Sequence, residues 1–438
     1  MKKLSLLLIV FVLPLMANAY RSGTCGDNLI WTYENMTLTI EGSGAMNNYD
    51  DYYHCPWWDY RFDIRWIHIG DGVTSIGDHA FYSICYMSSI ELPSSLTYIG
   101  KYAFYWNKSL TSLTIPNSVT TIGESAFMDC ETLATVELPN SITKLDKSVF
   151  WGCTSLTSIT IPNSVTDIDN YTFRECTGLT SITLPSSLTF IGNYTFEGCT
   201  SLTSITIPKS VNTIYFNPFA DCPNLESIEV EAGNKKFDSR GGCNAIVDSY
   251  KNSIISGCKN TVIQNDVTAI GYAAFAGCTA ITTISIPSNI SKILERAFYG
   301  CSGLESVTVL AKKPPLGDSY PVNDNMFSDY TIPLYVPAES IDEYKVISPW
   351  NKFTTIEAIA SSSITTQQHQ NLMIYNNGSM LNIDGVNDGT LITIFSTNGT
   401  EMGSTISKCS HATINTNLPK GSTAIVRIGN KSVKVLIK

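Results

Sequence analysis

Thirteen cysteines run through the 438-residue chain. Thiolates bind metals, form disulfides or act as nucleophiles, so their spacing is the first place to look for chemistry. Seven of them, Cys130, Cys153, Cys176, Cys199, Cys222, Cys278 and Cys301, hold one equivalent corner of a repeating pattern. No paired C-x-x-C accompanies them, which argues against a zinc site. Stacked in register they stand ~4.8 Å apart with parallel Cβ vectors, beyond the ~3.5–4.5 Å that a bridge requires. The spacing therefore predicts a buried ladder of free thiols behaving as small hydrophobes. Cys243 and Cys258 flank a predicted hairpin and are the best disulfide candidates, followed by Cys25 and Cys55.

The remaining reactive residues form no catalytic set. The five histidines (His54, His68, His79, His369 and His411) make no H-E-x-x-H and join no nucleophile motif. No G-x-x-x-x-G-K-[ST] loop occurs, and Asp146, Asp167 and Asp169 read as solvated turn residues. The expectation is no catalytic residue, no metal and no cofactor. Aromatic residues crowd one stretch, Tyr49, Tyr52, Tyr53, Trp57, Trp58, Tyr60 and Trp66. Tyr52, Tyr53, Trp57 and Trp58 could form a stacking platform for a sugar or peptide. The plainer expectation is that the cluster plugs the open end of a stack of repeats.

These residues are positioned by a repeat. Pro93, Pro116, Pro139, Pro162, Pro185 and Pro208 recur every 23 residues, as do Phe81, Phe104, Phe127, Phe150, Phe173, Phe196 and Phe219. A fixed period of this size predicts a solenoid. In the unit Leu110 to Asp129, Leu113-Thr114-Ile115 alternates as a short strand and Pro116 ends it. Val119-x-x-Ile122-Gly123 reads as a second extended piece, and Ser125-Ala126-Phe127 as a short helical or 3₁₀ turn that drives Phe127 inward. Eleven strand positions follow in register from 67–69 to 307–309; at ~4.8 Å per rung the sheet runs about 50 Å. Its outward rows are nearly all hydroxyls, Ser112, Ser158, Ser181, Ser204 and Ser227 beside Thr114, Thr160, Thr183 and Thr206, with Glu91, Glu137 and Glu229 interrupting the second row, a β-compatible soluble surface. Between 228–230 and 261–263 the step lengthens to 33 residues, and Ala245-Ile246-Val247 with Ser253-Ile254-Ile255 predicts a β-hairpin projecting from one coil.

The pattern L-x-x-[IL]-x-[IL]-P-x-S-[VL]-x-x-I-G-x-x-[AT]-F-x-x-C, seen in Leu156 to Cys176 and Leu179 to Cys199, resembles the BspA-like leucine-rich repeat family of secreted and surface proteins. The likeness covers about residues 65–310, with Asn107 standing where a Cys is expected and Cys85 one position late. It implies a non-enzymatic adhesive or binding role at a cell surface. The ending from Ile425 to Lys438, with the turn Ser396-Thr397-Asn398-Gly399, is similar to the C-terminal sorting domain of bacterial type IX secretion, although Ser422-Thr423-Ala424 departs from its usual glycine-aromatic start. The alternative is a small β-sandwich with no sorting role.

The organisation expected is therefore a β-rich leucine-rich-repeat solenoid with one strand per repeat and a small C-terminal β domain. Its parts are a signal peptide at 1–19, an N-terminal cap at 20–64, the solenoid at 65–310 with the hairpin at 234–259, a closing cap at 311–357, a linker at 358–371 and the β domain at 372–438. Lys2, Lys3, the apolar Leu4 to Leu13 and Ala17-Asn18-Ala19 make the signal; that stretch is too short to span a bilayer. Net charge is −10, an acidic balance that argues against nucleic acid. The expected location is outside the cell, most simply a bacterial outer surface, and the expected partner an extracellular protein or glycan. A surface glycan-capture factor or enzyme using the aromatic N-terminal segment, or a structural coat, are the alternatives.

Overall fold

The computed structural model describes residues 21–317, 325–359 and, within 373–436, all but 378–379, 387–388, 397–399, 409–410, 416–421 and 429–430. The expected signal segment and most of the expected linker lie outside the described residues.

Each coil has three edges, and each edge is fastened to the next coil. On the first, Ser112–Thr114 pairs in parallel with Thr135–Glu137. Leu113 is buried while Ser112 and Thr114 are exposed, the alternation a half-buried strand imposes. On the second edge Lys144–Leu145, Asp167–Ile168, Phe190–Ile191 and Thr213–Ile214 pair in parallel, one rung per coil. The third edge is not the helical turn its sequence suggests. Ser125 and Asp129 hold left-handed φ angles of 55° and 56°. This turns alternate N–H groups along the stack: Ser125, Phe127 and Asp129 donate to the carbonyls of Lys147, Val149 and Trp151 at 3.0, 3.0 and 2.7 Å. Left-handed conformation costs a non-glycine residue about 1–2 kcal/mol, which the inter-coil bonds of the alternate donors offset, while Ala126, Met128 and Cys130 donate within the coil.

Inside, Phe104, Phe127, Phe150, Phe173, Phe196 and Phe219 stack with ring centroids 5.3–5.7 Å apart. All are fully buried. Trp57 extends this column at the N-terminal end, 5.8 Å from Phe81, and its indole N–H donates to Ala80 O at 2.7 Å. At the other end Trp350 and Tyr344 plug the stack, donating to Pro315 O and Ala311 O.

The first-edge rungs differ from the expected eleven. Residues 90–92 and 261–263 form no strand, and 159–161 meets 182–184 only through a bridge at Thr160 and Thr183. Conversely the sheet continues past 309, since Leu334–Val336 and Ile356–Ala358 add two parallel rungs. The hairpin of Ala245–Asp248 and Ser253–Gly257 is present, but it does not project. Ser253 and Ile254 pair in parallel with Ala269 and Ile270, so its second strand is a rung of the second edge. Both strands are almost wholly buried. A projecting hairpin would leave one face polar; here the apolar residues on both faces are consumed by the coils above and below.

In the C-terminal region Met373–Asn377, Met380–Asp384 and His411–Asn415 form a three-stranded antiparallel sheet. Leu391–Ser396, Glu401–Ile406, Thr423–Ile428 and Lys431–Leu436 form a four-stranded one. Leu381, Ile383, Ile392, Ile394 and Val426 lie in one core, a small β-sandwich.

Candidate functional site

The third edge presents two outward rows, and these depart from the repeat. Two residues before each ladder phenylalanine stand His79, Tyr102, Ser125, Ser148, Tyr171 and Tyr194, all with φ of 52–60°. One residue after it stand Tyr82, Tyr105, Met128, Trp151, Arg174 and Glu197. The left-handed backbone aims the first row outward, so large rings are half-exposed beside the core that anchors them.

Because successive coils stack, so do their rings. His79 and Tyr102 lie 5.0 Å apart at 15°, Tyr82 and Tyr105 4.7 Å apart at 18°. Tyr171 and Tyr194 lie 5.9 Å apart, and Trp151 leans onto Tyr171 at 5.8 Å. Ser125 and Ser148 interrupt the row, and a cavity of about 570 Å³ opens there. Its lining includes Tyr102 and Tyr105 from one coil, Ser125 and Met128 from the next, Ser148 and Trp151 from the one after, and Tyr171 beyond. Its size is that of a small-ligand pocket.

Charges around the slot are paired. Lys147 Nζ sits 2.8 Å from Glu124 Oε1, which raises the lysine pKa through that hydrogen bond. Arg174 lies 4.5 Å over the Trp151 ring and 3.0 Å from Glu197 Oε2. Burial raises Glu197, with Arg174 opposing. Burial lowers the His79 pKa, with Asp78 and Asp51 opposing. Tyr105 hydrogen-bonds Asp129, and burial raises both.

The residues singled out from sequence fall elsewhere. Trp57 is 1% exposed and belongs to the core column, so it offers no face to a ligand. Trp58 is half-buried with Arg61 3.7 Å over its ring, and Tyr53 packs edge-on against it at 5.3 Å. The Tyr52 side chain lies outside the described residues. Trp58 also reaches Tyr82 at 6.2 Å, so the N-terminal aromatics meet the slot at its margin. The slot itself was not found in the sequence; its one signal is the Tyr-to-Ser change at a fixed place in the period.

No disulfide joins Cys243 to Cys258; both are free thiols. The hairpin register pairs Ala245 with Gly257, which sets Asn244 rather than Cys243 opposite Cys258. Cys258 donates to Asn244 O, while Cys243 packs into the C-terminal half of the core. Cys25 and Cys55 are also free and buried. The seven corner cysteines are free and buried too, and they do more than fill space. Cys130, Cys153, Cys176, Cys199, Cys222 and Cys301 each donate to the phenylalanine carbonyl 26 residues earlier, at 3.0–3.3 Å. Among the described residues no group of three or more His, Cys, Asp or Glu converges as metal ligands. No helix among them is long and apolar enough to cross a membrane.

The family model described as a BspA type leucine-rich repeat region matches in six copies, over residues 59–179, 143–241 and 247–333. Among solved structures, a leucine-rich repeat protein from Bacteroides ovatus is 24% identical, with 76% of this chain and 99% of that chain covered at a TM-score of 0.50. A leucine-rich cell surface protein from Faecalibacterium prausnitzii is 23% identical, with 78% and 95% covered, also at 0.50. These likenesses establish the fold. No curated protein matches the sequence.

Proposed function

The chain belongs to the BspA-type leucine-rich repeat family, and from that premise we propose that it is a secreted or cell-surface binding protein, an adhesin for extracellular protein or glycan rather than an enzyme. The observation that carries this is the contrast between rows. The first-edge outward rows are dominated by hydroxyls, a surface that needs only solubility and β geometry. The third-edge rows vary from coil to coil and hold half-exposed tyrosines, a tryptophan and an arginine, the residue types that dominate binding energy at interfaces. A fold whose repeats dictate everything else leaves recognition to the positions that escape the repeat. Export through the N-terminal segment and sorting through the C-terminal β-sandwich complete the reading. The neighbour described as a cell surface protein supports that location.

The test is retention. The full chain is passed over immobilised matrix proteins and intact cells, with a scrambled-surface variant (Tyr102→Ser, Tyr105→Ser, Trp151→Ser) as control. Retention of the natural chain above the control is expected; equal passage of both over every surface would end the adhesive reading.

A further inference from the structure

We infer that the slot between Tyr102 and Trp151 is a carbohydrate site, an inference that deepens the binding-protein reading and rests on it. The first row lacks a ring at Ser125 and Ser148, and one coil, with Ser125 in the first row and Met128 in the second, carries no ring in either row. Tyr102 is stacked on His79 on one side, and Trp151 is stacked on Tyr171 on the other. The intervening coil carries Ser125, 3% exposed. Tyr102 and Trp151 belong to coils two apart, roughly 10 Å at ~4.8 Å per coil. Ring faces make favourable contacts at centroid separations of about 4.5–7 Å, so one six-membered ring enters the missing layer and touches both walls.

A pyranose suits this geometry. Its axial C–H bonds lie against the ring faces, while its equatorial hydroxyls project in the plane of the layer towards the rim. The rim holds an acceptor in Glu124, donors in Lys147 and Arg174, and the Tyr105 hydroxyl that does both. A hydroxyl ring satisfies such a mixed set. Each of these groups already holds one partner but has donors or lone pairs to spare, which sugar hydroxyls meet and a phenyl ring does not. The ligand is neutral, because Lys147 is already paired with Glu124 and Arg174 with Glu197. The cavity, about 570 Å³, exceeds a single monosaccharide, so the site reads one residue of a longer chain.

The experiment uses the full chain and an immobilised panel of neutral polysaccharides: β-glucan, α-glucan, mannan, galactan and chitin. Ser125→Tyr restores the missing ring and closes the slot. Its backbone already matches, since Ser125 sits at φ 55° and Tyr102, Tyr171 and Tyr194 hold the same place at 52°, 60° and 52°. Expected is binding to at least one polysaccharide, weakened tenfold or more by Ser125→Tyr and by Trp151→Ala, with both variants melting as the natural chain does. The inference is overturned if no polysaccharide binds, if binding survives both substitutions, or if a phenylalanine-rich peptide occupies the slot instead. Retention on cells and matrix is measured on the same proteins. Retention that Ser125→Tyr leaves unchanged, without polysaccharide binding, removes the sugar site and leaves the adhesive reading standing.

Discussion

The corner cysteine shows how one residue type meets two demands of a stacked coil. It fills the corner as a small apolar group, and its S–H gives the phenylalanine carbonyl of the previous coil a donor in the dry interior. Asn107 reveals that the donor matters: it replaces Cys at one corner, and its amide donates to both Phe81 O and Phe104 O. Burial pushes the Cys130 and Cys301 thiols up to about 12 and raises Cys153, Cys176, Cys199 and Cys222 as well. In the unfolded chain these thiols ionise near 9.0. Above that pH the unfolded state binds fewer protons than the native one, so stability is complete below about 9 and falls as pH rises towards 12. Each ladder thiol adds to that loss in the same direction. Urea melts from pH 8 to 11 check this: Cys176→Ser with Cys199→Ser should flatten the slope while keeping both donors, and an unchanged slope would show that the thiols are not the cause.

At the scale of the element, the inserted hairpin mends an interruption. The phenylalanine column stops at Phe219 and resumes at Phe275. Between them Gly257 lies against the Phe275 ring so closely that an added Cβ would overlap it. Asn217, 1% exposed, ties the two halves, donating to Ala273 O at 2.8 Å and accepting from Phe219 N and Ser256 Oγ. Gly257→Ala must push a fully buried ring out of a packed column, an overpacking cost of about 1–3 kcal/mol. Thermal melts should show a lower Tm for Gly257→Ala, whereas Gly233→Ala, whose surroundings are open but whose φ is +89°, measures backbone strain alone. If the two variants fall equally, contact with Phe275 contributes nothing.

Across the whole molecule, stability is a chain of neighbour contacts rather than one central core. Core residues fall into one cluster from Cys25 to Cys258 and another from Cys243 to Phe353. The β-sandwich from Ile374 to Val435 has its own. Among the described residues nothing buried in the sandwich belongs to the solenoid clusters, so a chain ending at Ile359 should keep the solenoid transition within about 2 °C, the shift that roughly 1 kcal/mol produces in a unit of 150–250 residues. Calorimetry of the two lengths decides this; a larger fall would mean that the sandwich supports the stack.

The period, the inward phenylalanines, the free thiol corners and the parallel stacking were legible in the sequence, because a coil that cannot bury its apolar face alone must repeat its spacing to be covered by the next. What distinguishes one coil from another was not. Left-handed backbone at Ser125 and Tyr102, the burial of the hairpin on both faces and the two rungs added after 309 depend on contacts between one coil and the next. The slot is the clearest case. Ser125 and Tyr102 look like interchangeable polar positions along the chain, and only stacking turns the absence of one ring into a space that a ligand can enter.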